Sequence, residues 1–210
     1  MTNSNRKDCK FMNLIVGARD LVIAKQTADS STALTYETVE KVEGLVSVSI
    51  KDNSGEQKPY HADDVEKGRL SSQAKMGITI ELLAAAKATI AKFYGHTVNA
   101  TDGTVSKKDG DSPPYFAIGF KAATSTIAGG DDGVWFKKCI ATKRSNEMEY
   151  KTKEGENVTI QTVKLEFEAI PTIKDSEYMI LANSKDAGMS TAWATWFDTV
   201  PGATSGQGGS

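Results

Sequence analysis

Few side chains in this sequence are of a type and spacing that could do chemistry. Histidine is the commonest general base, and there are two, His61 and His96. His61 precedes Asp63-Asp64, which invites a metal, but no further ligand stands at a usual spacing. A solvated strand edge is the plainer expectation there. His96 follows Tyr94-Gly95, where an imidazole can meet the last carbonyls of a helix. Asp131-Asp132-Gly133 resembles a piece of a calcium loop but lacks the alternating ligands and the distal Glu, so it reads as a hairpin turn. Glu166 and Glu168 are two apart and share one strand face. Paired catalytic carboxylates instead oppose each other across a cleft. Cys9 and Cys139 belong to no CxxC pair and read as free thiols. No GxGxxG, phosphate loop or GxSxG is present. The expected catalytic, metal and cofactor-binding residues are therefore none.

The elements that would position these residues are mostly strands. Val46, Val48 and Ile50 alternate with Ser47, Ser49 and Lys51, and Gly44 marks a bulge or bend before them. Ile78, Ile80 and Leu82 alternate with Thr79 and Glu81. Phe116, Ile118 and Phe120 form the buried face of a strand over Tyr115–Ala122. Gly129-Gly130 and Asp132-Gly133 signal a hairpin to a partner over Val134–Thr142. Thr159–Ile170 is the clearest strand. Val163, Leu165, Phe167 and Ala169 form one face; Thr162, Lys164, Glu166 and Glu168 form the other. Asp20–Gln26, Tyr60–Val65 and Tyr178–Leu181 read as shorter strands. Leu83, Ala86, Ile90 and Phe93 make a helical stripe, predicting one helix over about residues 82–94, ended by Gly95 at the left-handed C′ position.

Two polar stretches remain: the turn Lys51–Lys58 and the long loop Asn99–Pro114. Residues 1–10 read as an arm, and Lys151–Asn157 as a charged turn. Met189–Phe197 reads as a short helix carrying Trp193, Trp196 and Phe197, before a flexible Gly/Ser-rich end. The fold expected is mainly β, an antiparallel sandwich or barrel with one flanking helix, over residues 1–183, followed by a C-terminal segment, 184–210. The 210 residues carry 25% charged side chains and a formal net charge of −2, so nothing draws the chain to nucleic acid. No apolar stretch suits a signal peptide or a membrane helix, so a soluble protein of the cytoplasm is expected.

Six segments in order resemble the major tail (tail tube) proteins of long-tailed phages of Gram-positive bacteria. They are YHADDV (Tyr60–Val65), GITIEL (Gly77–Leu82), FYGHTVN (Phe93–Asn99), PPYFAIGF (Pro113–Phe120), VWFKKC (Val134–Cys139) and Lys151–Ile170. The resemblance covers about Cys9 to Ile170. It implies a β-sandwich or barrel of the tail tube type, in hexameric rings stacked around a conduit that DNA crosses without specific binding. It implies a virion tail protein, made in the host cytoplasm, with tape-measure and tail terminator or initiator proteins as partners. It implies no cofactor and no membrane. The loop residues Lys51, Asp52, Asn53, Glu56 and Lys58, with Asp102, Lys107, Lys108, Asp109 and Asp111, become candidate subunit contacts. Lys51–Lys58 and Asn99–Pro113 are expected to be mobile in the monomer and to order on assembly. Thr162, Lys164, Glu166 and Glu168 are candidates for the lumen wall, whose acidic charge would repel DNA, with an outer solvated face as the alternative. Competing classes are a carbohydrate-binding β-sandwich, which would recruit exposed aromatics such as Tyr115 and Trp135, and a hydrolase, which the scarcity of histidine disfavours.

Overall fold

The computed structural model describes residues 15–53, 57–62, 65–71, 75–83, 85–124, 130–142 and 162–204. The first strand, β1 (Ile15–Asp29), is longer than the run Asp20–Gln26 suggests. Its middle, Leu21–Ala24, is buried on both faces. Below it the ladder slips between Arg19 and Val22, and Asp20 sits at φ 53. Short polar side chains tolerate that left-handed geometry best. Asp20 also meets Lys121 at 2.9 Å, which outweighs its partial burial and lowers its carboxyl below the usual range.

The short strands β2 (Leu34–Tyr36) and β3 (Glu40–Val42) both pair with β1. Two residues later the chain enters β4 (Leu45–Asn53). Between them Gly44 has φ 85, a conformation that suits glycine, and its carbonyl accepts the Leu83 N–H at 2.7 Å. Gly44 is thus the expected bend. A bulge at Leu45–Ser47 then seats Leu45 against the core and leaves Val46 exposed, so the apolar face of β4 is shorter than its alternation implies.

The remaining strands are β5 (Gln57–Ala62), β6 (Val65–Ser71), β7 (Lys75–Leu82), β8 (Thr97–Val98), β9 (Val105–Ser106), β10 (Phe116–Thr124), β11 (Asp132–Ala141), β12 (Val163–Ala169) and β13 (Met179–Asn183). The main ladder runs β1–β10–β11–β12–β7–β4, antiparallel throughout. β4 is the far end of this ladder, and the chain alone, through Gly44, links it to β3, which pairs with β1. The fold is therefore mainly β and antiparallel, consistent with the expected sandwich type. β13 lies beside the first half of β11, as β12 lies beside the second half.

On one face of this curled sheet, Leu21, Ile23, Ile78, Ile80, Phe116, Ile118, Phe136, Leu165 and Phe167 form the main core. The helix α1 (Lys87–Tyr94) adds Ile90, Phe93 and Tyr94. The Phe93 ring meets the edges of Phe116 and Phe167, each at 5.1 Å, a favoured geometry for aromatic pairs. Gly95 ends the helix at φ 71, as expected. The start differs. Residues to Leu82 belong to β7, whose Leu82 pairs with both Val163 and Leu45, so the ladder takes the backbone groups a longer helix would need. Leu83, first in the apparent stripe, is 48% exposed.

A second, smaller core lies on the outer face of β1, β10 and β11, around Val22, Ala24, Ala117, Trp135 and Val200. Trp196 and Phe197 cover it. They follow α2 (Met189–Ala192) and a 3-10 turn, Trp193–Thr195, so the expected helix Met189–Phe197 is one short turn of each kind. Trp135 stacks on Phe197 at 6.0 Å and donates its indole N–H to the Trp196 carbonyl at 3.2 Å. The aromatic C-terminal segment thus packs on its own sheet. Gly133 makes room for it: a Cβ there would lie 2.8 Å from Trp196 Nε1. Asp132-Gly133 is accordingly inside β11, not in the turn, and the glycine serves close packing.

Candidate functional site

The alternation over β12 places Leu165, Phe167 and Ala169 in the core and Thr162, Lys164, Glu166 and Glu168 on the outer face of the sheet. The register with β7 and β4 extends that polar face. Lys164 stands opposite Glu81, Glu166 opposite Thr79, and Ser47 and Ser49 lie beyond. Glu81 is its centre. The Thr162 hydroxyl at 2.5 Å and the Ser47 hydroxyl at 3.2 Å hold its carboxyl below the usual range, with lesser help from Lys164. Lys75 pairs with Glu168 at 2.9 Å. Three glutamates (Glu81, Glu166, Glu168) therefore share the face with three lysines (Lys51, Lys75, Lys164). The face is charged but balanced, not acidic. Glu81 and Lys75 were missed because the contribution of β7 depends on register, which the alternation within one strand does not give.

The first contact loop is mostly strand. Lys51, Asp52 and Asn53 are the end of β4, Lys58 lies in β5, and Glu56 falls outside the described residues. Two strands continue it: β5 and β6 pair with each other, and among the described residues with no other strand. Residues 63–64 join them, so His61 sits in a hairpin, while Asp63 and Asp64 lie outside the described residues. No cluster of metal-ligating side chains occurs among the described residues.

The second contact loop is folded within the chain. Thr97–Val98 and Val105–Ser106 pair as β8 and β9. Asp102 accepts the Thr104 N–H at 2.9 Å and its hydroxyl at 2.7 Å, and these bonds lower its carboxyl. Asp111 is held low first by the Lys108 N–H at 2.9 Å and then by His96 Nδ1 at 2.7 Å. His96 is thus no side-chain cap. Its backbone N–H meets the helix carbonyl of Ala91 at 2.9 Å, while its buried ring stacks on Tyr94 and pins this loop through Asp111. Asp102, Lys107, Lys108 and Asp109 remain exposed along it.

The most unusual chemistry lies where the alternation of VWFKKC breaks. Phe136 and Cys139 both face the core, which requires a bulge between them; the ladder from β10 to β11 slips there. The extra residue leaves Lys137 and Lys138 out of the core, yet both are buried. Lys138 meets Asp29 at 2.6 Å and lies 4.7 Å over the Tyr115 ring. Asp29 also accepts the Ile173 N–H at 2.9 Å. Lys137 meets Asp175 at 3.2 Å and Glu177 at 2.5 Å, and its carbonyl accepts the Tyr36 hydroxyl at 2.8 Å. Burial pushes the Tyr36 phenol up, and likewise the Cys139 thiol. Two adjacent lysines within an apolar strand were the sequence signal for this cluster. Their acids lie far along the chain.

Asp131 pairs with Arg19, and Asp132 accepts from Asn183 at 2.6 Å, so these acids tie β1 and β13 to the start of β11. Cys9, the arm at residues 1–10, Gly129, the turn Lys151–Asn157 and the end at 205–210 lie outside the described residues. No helix among the described residues is long and apolar enough to cross a membrane. No protein-family model matches the sequence, and no curated protein matches it.

Proposed function

We propose that this chain is a structural subunit that assembles with its own copies into stacked hexameric rings, as the tail tube protein of a long-tailed phage. The carrying observation is the β5–β6 hairpin. Its strands pair with each other and, among the described residues, with nothing else. Exposed strand edges template further pairing unless they are blunted or used. Pairing them with a neighbour's edge uses them. Such a head-to-tail contact yields a ring if it closes and a tube if rings repeat along the axis. β13 offers a second margin and itself carries Leu181, 61% exposed.

The balanced face of β12, β7 and β4 fits a wall that DNA crosses without sticking, since excess lysine there would bind phosphate. In this reading the tape-measure and tail terminator or initiator proteins are the partners, and the virion tail is the location. The carbohydrate-binding alternative needs free aromatic rings. Trp135 is fully buried under Phe197, and Tyr115, though 38% exposed, stands alone with Lys138 over its ring, not in a row of coplanar aromatics.

Excising the hairpin tests the reading. Asn53 and Lys75 pair in register, so a two-residue Asn-Gly turn can join them. The variant should melt as wild type does and sediment as a monomer at concentrations where wild type forms rings. Assembly equal to wild type would remove the carrying observation.

A further inference from the structure

We propose that Lys137 and Asp175 become joined by an isopeptide bond, with Glu177 as the proton carrier. The Lys137 side chain is 1% exposed, and its ammonium touches two carboxylates, Asp175 at 3.2 Å and Glu177 at 2.5 Å. Two acids on one amine exceed what neutralisation requires. Asp175 and Glu177 flank Ser176, whose φ of 55 bends the chain between them. Gly202 closes the site from above: a Cβ there would lie 2.9 Å from Lys137 Nζ. The Lys174 amine, 3.0 Å from the Gly202 carbonyl, helps hold that roof.

This is the arrangement that amide formation between side chains needs. Lys137 Nζ lies 3.2 Å from an Asp175 carboxylate oxygen, so amine and carboxyl are held side by side, and well-oriented intramolecular reactions gain effective molarities of about 10⁵ M or more. A buried lysine can act as a nucleophile once neutral. A second carboxyl within reach of the amine can take up and return protons.

The step balances without a co-reactant. The ammonium gives one proton, through Glu177, to the Asp175 carboxylate, leaving a neutral amine beside a carboxylic acid. The Nζ lone pair attacks Cγ of Asp175. Glu177 takes a second proton from nitrogen and delivers it to the departing hydroxyl. The Nζ–Cγ bond forms, a Cγ–Oδ bond breaks, and one water leaves. Asp175 is partly open to solvent, which gives that water an exit. The bond ties β11 to the loop before β13, a covalent clamp that reductants do not open.

The full chain, purified and denatured, is measured by intact mass spectrometry. The expected mass is lighter than that of the sequence by one water. The digest should hold a branched peptide joining Lys137 to Asp175, with no tryptic cleavage after Lys137. Glu177→Gln should keep the wild-type circular dichroism while the unlinked mass accumulates, and Lys137→Arg should show the full mass. A wild-type protein of full mass, with Lys137 and Asp175 in separate peptides, overturns the proposal. Wild-type linkage in Glu177→Gln overturns the role given to Glu177.

Discussion

Removing the Asp29 carboxylate should cost more stability than any other single change at the ion cluster. Its side chain is 5% exposed and accepts from Lys138 Nζ and from the Ile173 N–H. Asp29→Ala leaves a buried ammonium without its counter-charge, a loss of about 3–5 kcal/mol. Against a domain stability of about 5–15 kcal/mol that is a large fraction. At this chain length each kcal/mol moves Tm by about 2–4 °C, so a fall of roughly 6–20 °C is expected. Asp29→Asn keeps an acceptor for Ile173 and should cost less, about 2–3 kcal/mol. Adding Lys138→Met to Asp29→Ala removes the stranded charge and should recover at least about 1 kcal/mol. The assay is urea unfolding followed by tryptophan fluorescence. The pH profile gives an independent reading. Burial pushes the Asp29 carboxyl up, but the Lys138 ammonium and the N–H groups of Ile173 and Lys174 outweigh it and hold it below the usual range. A carboxyl lowered on folding adds stability that is complete above its unfolded value of about 4 and disappears as pH falls through the folded value. Wild type should therefore lose stability below about pH 4, and Asp29→Ala should flatten that slope. A loss under about 1 kcal/mol for Asp29→Ala, or a double variant no better than the single one, refutes the reasoning.

Three further outcomes are expected. Gly133→Ala pushes a Cβ into Trp196 and should cost about 1–3 kcal/mol, with a red shift in tryptophan emission as the C-terminal segment lifts. An unshifted spectrum would separate Gly133 from that packing. His96→Ala unpins Asp111, so amide exchange should rise across Thr97–Ser106 while the strands of the main sheet keep their protection; unchanged exchange would contradict the pinning. Glu166→Lys with Glu168→Lys makes the polar face strongly basic. If the face lines the lumen, DNA passage should slow and become salt-dependent, whereas tubes that form and eject DNA normally place it outside.

The strands were the most legible part of the fold because alternation is a local property. Leu165 to Ala169 and Ile78 to Leu82 carry their burial in their spacing, whereas Phe116 to Phe120 are buried on both faces because the C-terminal segment covers the outer one. Gly44 and Gly95 were legible because a residue that must adopt positive φ is chosen locally too. What escaped was set by partners far along the chain. The helix start depends on which strands claim the Leu82 backbone, and Gly133 depends on a tryptophan more than sixty residues later. The Asn99–Pro114 loop looked structureless because β8 and β9 have two residues each, too short for any periodicity. The ion cluster was half legible. The Lys137-Lys138 break is visible in the strand, but Asp29, Asp175 and Glu177 meet it only through the fold.

Electron microscopy of concentrated purified protein goes to the centre of the functional reading. If sister copies saturate the β5–β6 margins, micrographs should contain rings of uniform diameter, some stacked end to end. Particles that remain monomeric at the highest soluble concentration, with the hairpin amides exchanging as fast there as in dilute solution, would contradict it.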